Sequence, residues 1–306
     1  DIFRITGSNV LIDITPVPGK SAELLAIIRG IAYGLTNEID NGLGSVVITG
    51  QFPILNLFKL NLLAQINYAR PAYTPVLSSG LTTTAGDIAM GSDKARSQFN
   101  VQGQGIKVGV ISDSYNTQPG NSAQIDVQNY DLPGIANPNN STPVEIVKEC
   151  SGQGSDEGRA MLQIIHDVAP MASLAFRTGF ISEGDFAVGI KELHQAGCDI
   201  IVDDISYITE PFFQDGQVAK AVDYVTANGA AYFSAAGNYG NKSYQHVFVP
   251  GSFNAHNFGG GDVLQNISLK PGSYTIVLQW DDFFYSNGQT TGAQNDLDIY
   301  LINDNG

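Results

Sequence analysis

Between residues 106 and 238 the chain alternates short apolar runs with segments of helical spacing, and nothing else in it constrains the fold as much. The apolar runs are IKVGVISDS (106–114), PVEIVKE (143–149), ASLAFRT (172–178), CDIIVDDIS (198–206) and AAYFSAAGN (230–238). After the long Asn/Gly/Pro-rich loop 115–143, the segments between them are helical: GSDEGRAMLQIIHDVAP (154–170), GDFAVGIKELHQAG (184–197) and DGQVAKAVDYVTANG (215–229). Apolar runs alternating with helices predict an α/β domain with a doubly wound parallel sheet. Ligand sites in such sheets lie at the carboxyl ends of the strands. Asp113, Asp203, Asp204 and Asn238 all stand at those ends.

The flanks read differently. Residues 1–76 hold the strand-like NVLIDITPV, the helical SAELLAIIRGIAYGL with Ser21 as its N-cap, and the strand-like GSVVITGQFP. A second amphipathic helix, ILNLFKLNLLAQI, and the extended NYARPAYTPV complete them. This order predicts a ferredoxin-like α+β module. Residues 77–100 read as a connector, 101–261 as the main α/β domain, and 262–306 as the start of a β-sandwich-like domain built on NISL, PGSYTIVLQWDD and NDLDIYLIND.

Fifteen Lys and Arg face thirty Asp and Glu, for a net charge of −15. Such a surface is unsuited to nucleic acid, which needs basic patches. No run of about 18 apolar residues exists, so no membrane span is expected. The low Lys and Arg content and 34 glycines fit a secreted or cell-surface protein. Cys150 and Cys198 are either one disulfide or two free thiols. The chain reads as part of a longer precursor, since it begins at Asp1 and stops at Asp304-Asn305-Gly306.

One helix opens on paired acids, Asp156 and Glu157, followed by Gly158. Acids in a first turn complement the helix dipole, worth about 0.5 kcal/mol. Taken alone, the paired acids favour that reading. His166 lies nine residues after Glu157, about 900° around the helix, and so on the opposite side.

GVISDS, SDEGRAM and FSAAGN, in that order, with HDVAPMASLAF after the second, resemble the subtilase fold of the subtilisin-like and sedolisin serine peptidases. The approach GDIAMGSDKARSQFNVQGQGIKVGV is similar as well. This resemblance implies that Asp113 is the orienting acid, that Glu157 stands where subtilisin-like enzymes have histidine and is the general base, with Asp113, Asp156 or Asp204 as the neighbour that raises its proton affinity, and that Asn238 is the oxyanion donor. It places Asp204, Ser206 and Tyr207 along the substrate, and it makes residues 1–76 a prodomain docking on the catalytic domain. Sedolisins share the Glu, but four residues after it this chain has Met161 rather than Asp, and it has Asn238 rather than an oxyanion Asp. No Gly-Thr-Ser segment is present. The implied function is a secreted serine endopeptidase acting on protein or peptide, with its serine outside this chain. The alternatives are an inactive peptide-binding relative, and an adhesion or carbohydrate-binding role for the β-rich tail. No cofactor is implied. Trp280-Asp281-Asp282 and Asn295-Asp296-Leu297-Asp298 offer either clustered carboxylates for Ca²⁺ or solvated loop acids.

Overall fold

The structure is a computed structural model, and it describes residues 3–39, 47–72, 76–77 and 85–302. Two compact units divide the chain: residues 1–235 with 279–306, and residues 236–278.

The first unit opens with an antiparallel sheet. Its strands are β1 (Ile5–Thr6), β2 (Asn9–Pro16), β3 (Thr36–Ile39), β4 (Ile48–Pro53) and β5 (Ile66–Pro71), with helix α1 (Ser21–Ile28) between β2 and β3. They are ordered β1-β2-β4-β3, and β5 also pairs with β2. Strand alternation explains the packing. Val10, Ile12 and Ile14 pack with Ile48, Phe52 and the α1 residues Leu24 and Ile28. The opposite face carries Leu11, Asp13, Thr15 and Thr49, and it is buried too. Asp13 accepts from Thr49 Oγ1 at 2.7 Å, and Arg70 pairs with Glu183 at 2.8 Å.

Two expectations for this region change. Ser21 is the first helical residue, and the cap position, Lys20, makes no side-chain cap bond. Residues Ile54–Leu62 form a 3₁₀ helix rather than an α-helix. An amphipathic α-helix draws its stability from packing one face. Here only Leu60 is buried, while Leu55, Phe58 and Leu62 are exposed.

After β6 (Val76–Leu77), the expected connector folds into α2 (Gly86–Met90) and α3 (Ser92–Phe99). With few apolar residues to guide it, this segment is held by charge. Arg96 grips Asp87 through two 2.6 Å hydrogen bonds and donates to Val168 O at 2.8 Å. The rest of the connector, 78–84, and residues 73–75 of the expected exit strand lie outside the described residues.

The main sheet comprises β7 (Lys107–Ser112), β8 (Glu145–Lys148), β9 (Ser173–Thr178), β10 (Ile200–Asp203) and, after the short β11 (Ile205–Ser206), β12 (Ala231–Ser234). It is parallel, in the order β12-β10-β7-β9-β8. A short helix, α4 (Ser122–Gln128), interrupts the loop after β7. The remaining helices are α5 (Glu157–Val168), α6 (Glu183–Gln195) and α7 (Gln217–Ala227). Val108, Val110, Leu174 and Phe176 pack with Leu162 of α5. Ile111, Ala175 and Ile201 pack with Ile190 and Leu193 of α6 and with Ala221 and Val225 of α7. Both faces of the central strands β7, β9 and β10 are therefore buried, which is why those strands are apolar throughout, while the edge strands β8 and β12 are largely exposed. From β7 the chain first builds β8 and β9 on one side, then β10 and β12 on the other. This reversal sets the carboxyl ends of β7 and β10 side by side.

Cys150 and Cys198 are free thiols, and Cys198 sits in the α6 and α7 core. No helix among the described residues is long and apolar enough to cross a membrane.

The β-sandwich expected from residue 262 is not formed. Among described residues 262–302 the local order is a 3₁₀ turn, Tyr285–Asn287, and a single bridge, Gly259↔Asp262. An alternating segment becomes a strand only beside a partner that takes up its amides and carbonyls. Here loop contacts take them up instead. The Asp282 carboxylate accepts from the amides of Phe283, Gln294 and Asn295, each at 2.8 Å. Residues 303–304 of the last expected strand lie outside the described residues.

Candidate active site at the carboxyl ends of β7 and β10

Asp113 follows β7 directly and is 1% exposed. Its Oδ1 accepts from the amides of Ser114 at 2.5 Å and Glu157 at 3.0 Å. Its Oδ2 accepts from the Ser155 hydroxyl at 2.7 Å and from the Ser155 amide. Asp113 thus ties the start of α5 to the end of β7, satisfying amides that a helix N-terminus leaves open.

Asp156 has a structural task. It takes the left-handed conformation, φ 60° and ψ 31°, at the N-cap of α5. Its carboxylate accepts from Ser114 Oγ at 2.9 Å, from Thr117 N at 2.7 Å, from Thr117 Oγ1 at 2.9 Å and from Gln118 N at 3.1 Å. Burial pushes its proton affinity up, but these hydrogen bonds prevail and hold the carboxyl below the usual range. Arg159 joins Asp156 to Asp126, at 3.2 and 2.8 Å, so it is no solvated surface ion.

Glu157 is left to face the end of β10. There its carboxyl meets Asp204, which is 7% exposed. Among the described residues, no donor reaches Glu157 Oε2 or either carboxyl oxygen of Asp204 at hydrogen-bond geometry. Ser112 Oγ, beside Asp204, is likewise buried without a partner. Two carboxyls placed together in this way disfavour being ionised at the same time. Burial, and then the charge of Glu157, push Asp204 up to about 7. Burial also raises Glu157; the Asp204 hydrogen bond opposes this and the Asp113 charge adds to it.

Gly158 allows α5 to approach this closely. A Cβ there would collide with the Phe176 ring and come within 2.9 Å of Ser114 O. Gly158→Ala is expected to destabilise the fold by about 1–3 kcal/mol. Urea unfolding checks it: the midpoint falls and the slope stays unchanged.

The other candidates scatter. Asp203, one residue before Asp204, turns to the opposite face and accepts from Tyr232 Oη at 2.6 Å and Ser234 Oγ at 3.0 Å. Ser206 is half-buried in β11, whose backbone pairs antiparallel with Val76–Leu77. Tyr207 is no cleft residue: it is 7% exposed, packs on Phe186 and donates its hydroxyl to Gly179 O at 2.7 Å. Asn238 lies in the second unit, exposed in a bend after Gly237, which takes φ 72°. His166 is buried on the packed face of α5, 3.2 Å from Asn137 Nδ2, and burial lowers its proton affinity. Among the described residues no group of three or more His, Cys, Asp or Glu is placed to hold a metal ion. Asp282, one of the candidate Ca²⁺ ligands, instead holds a turn. Its carboxyl is pulled down to about 2, first by the Asn295 amide.

No family model matches the chain, and no curated protein matches it. Among solved structures it is similar to the epidermin leader peptide processing serine protease EpiP from Staphylococcus aureus, at 14% identity and a TM-score of 0.46. The match covers 78% of this chain and 65% of that one, so the chain spans less than two thirds of its neighbour. The resemblance to the subtilase family drawn from the motifs is therefore corrected. A distant neighbour and no matching family model do not support it. What stands is a mixed α/β fold with a five-stranded parallel sheet, a five-stranded antiparallel sheet and the small antiparallel β6–β11 pair.

Proposed function

We propose that this protein is a serine endopeptidase in which Glu157 is the general base. The carrying observation is the carboxyl of half-buried Glu157 set against that of buried Asp204, where Glu157 Oε2 and both Asp204 oxygens have no other hydrogen-bond donor at ordinary geometry among the described residues. Buried acid pairs of shifted proton affinity are what acid–base catalysis near neutral pH requires. Glu157 takes the proton of a serine hydroxyl as its oxygen adds to the peptide carbonyl carbon. It returns that proton to the nitrogen that leaves when the C–N bond breaks. Water then repeats the sequence on the acyl-enzyme. The nucleophilic serine is assigned outside residues 1–306. A polypeptide substrate is supported by β11, whose backbone already pairs with an extended segment, Val76–Leu77, beside Asp204. On this reading the N-terminal module is the in-chain occupant of the substrate's strand position. Action outside the cell belongs to the same proposal and rests on composition.

One observation favours a second reading, a peptide-binding protein without hydrolysis: no described serine hydroxyl donates to Glu157 Oε2. A serine-reactive fluorophosphonate, applied to the product of the full-length gene between about pH 3 and pH 8, separates the two. The peptidase labels, most strongly below about pH 6, and Glu157→Gln does not. A folded protein that never labels is the binding protein.

A further inference from the structure

Asp204 was expected along the substrate, yet its carboxyl lies against Glu157. It comes from a different element, the end of β10, and no residue near Glu157 in sequence does its task. One helical turn on from Glu157 stands Met161. The setting is closed. Asp204 is 7% exposed, and among the described residues both of its oxygens, Glu157 Oε2 and Ser112 Oγ are buried with no hydrogen-bond partner at ordinary geometry.

We propose that Asp204 is a positioning residue that keeps a proton and donates it to Glu157, holding the base in place and ending activity at the alkaline side when that proton leaves. This deepens the peptidase reading and rests on it. The charged groups acting on the pair are all acids. Asp113 at the end of β7 acts on Glu157, and Asp203 on β10 acts on Asp204. Ser112 Oγ is the polar group beside Asp204, and it favours the charged form. With one proton between them, Glu157 is an oriented carboxylate. With none, two buried negative charges repel, and the Glu157 side chain loses its donor. With two, Glu157 is no longer a base. A bell-shaped rate profile follows, with its alkaline limb belonging to the pair. Burial and the neighbouring Glu157 charge set that limb near the value of about 7 to which Asp204 is pushed.

Asparagine keeps a donor at this position but has no proton to lose. In Asp204→Asn, hydrolysis of a dye-labelled unfolded polypeptide by the full-length product should therefore lose its alkaline limb. The ratio of kcat at about pH 8.5 to kcat at about pH 6 rises at least fivefold over the parent, while KM holds. An unchanged alkaline limb overturns the proposal. A second measurement needs no activity, and so separates failure here from failure of the peptidase reading. Infrared difference spectra at about pH 6 should show a protonated-carboxyl band that is missing from Asp204→Asn. In Glu157→Gln the same band should titrate at lower pH, since the neighbouring charge is gone. A band that survives Asp204→Asn, or that is unmoved by Glu157→Gln, places the proton elsewhere and overturns the proposal. Glu157→Gln also serves if Asp204→Asn does not fold.

Discussion

Replacing Glu157 by glutamine is expected to lower kcat by about 10²- to 10⁴-fold, the usual contribution of a positioned base. That is about 3–5 kcal/mol of transition-state stabilisation. KM and the unfolding midpoint should change little. What ties α5 to β7 is the backbone amide of Glu157 donating to Asp113, and glutamine keeps it. Glutamine has nearly the same shape, and its amide oxygen can still accept the Asp204 proton. A loss of kcat together with the fold would assign Glu157 to structure instead.

The second large effect concerns stability. Four acids are held well above their ordinary range: Asp13 and Asp203 at about 6, Asp204 at about 7 and Glu210 at about 8. For all four, burial is the leading cause. Glu210 also faces Glu183, while its Oε1 accepts from Val218 N at 3.0 Å and Ala219 N at 3.2 Å where α7 begins. A group whose folded value is raised holds its proton in the folded state after the unfolded chain has released it. Its contribution is therefore fully present below the unfolded value, and is lost as pH rises through the folded one. Stability should fall between about pH 5 and pH 8 by several kcal/mol, since each pKa unit is worth about 1.4 kcal/mol and each group loses its contribution as pH rises through its folded value. Asp156 works in the opposite sense. Its carboxyl is held low, and its contribution is lost only in stronger acid. Urea unfolding at fixed ionic strength measures the slope. Glu210→Gln, which cannot ionise, should flatten it most between about pH 6 and pH 8. A protein that grows more stable over that range would contradict these assignments.

The parallel sheet was legible because both faces of its central strands are buried. Continuous apolar runs such as KVGVIS and SLAFRT have few other uses. The sheet ends were legible too, since Ser-Asp-Ser and Asp-Asp interrupt those apolar runs, although these polar residues are themselves buried. What periodicity could not carry was pairing across the fold. Asp203 and Asp204 alternate faces, but only packing decides which one meets Glu157 and which one meets Tyr232 and Ser234. Tyr207 follows two strand residues at the sheet's polar end, yet Gly179 O and Phe186 draw it into the core. Ser112 had a faint signal as a hydroxyl at the last position of a buried strand. The tail 262–302 misled because alternation records a capacity to pair, while the partner is supplied from elsewhere.

The account rests on the carboxyl pair acting as one acid–base centre. It is tested most directly by the pH dependence of polypeptide hydrolysis by the full-length product, compared with Glu157→Gln at each pH. The account requires a bell with an alkaline limb near pH 7, where Asp204 loses its proton, and a collapse of the whole curve in the variant. Hydrolysis that persists in Glu157→Gln with the parent's profile would show that the base lies elsewhere.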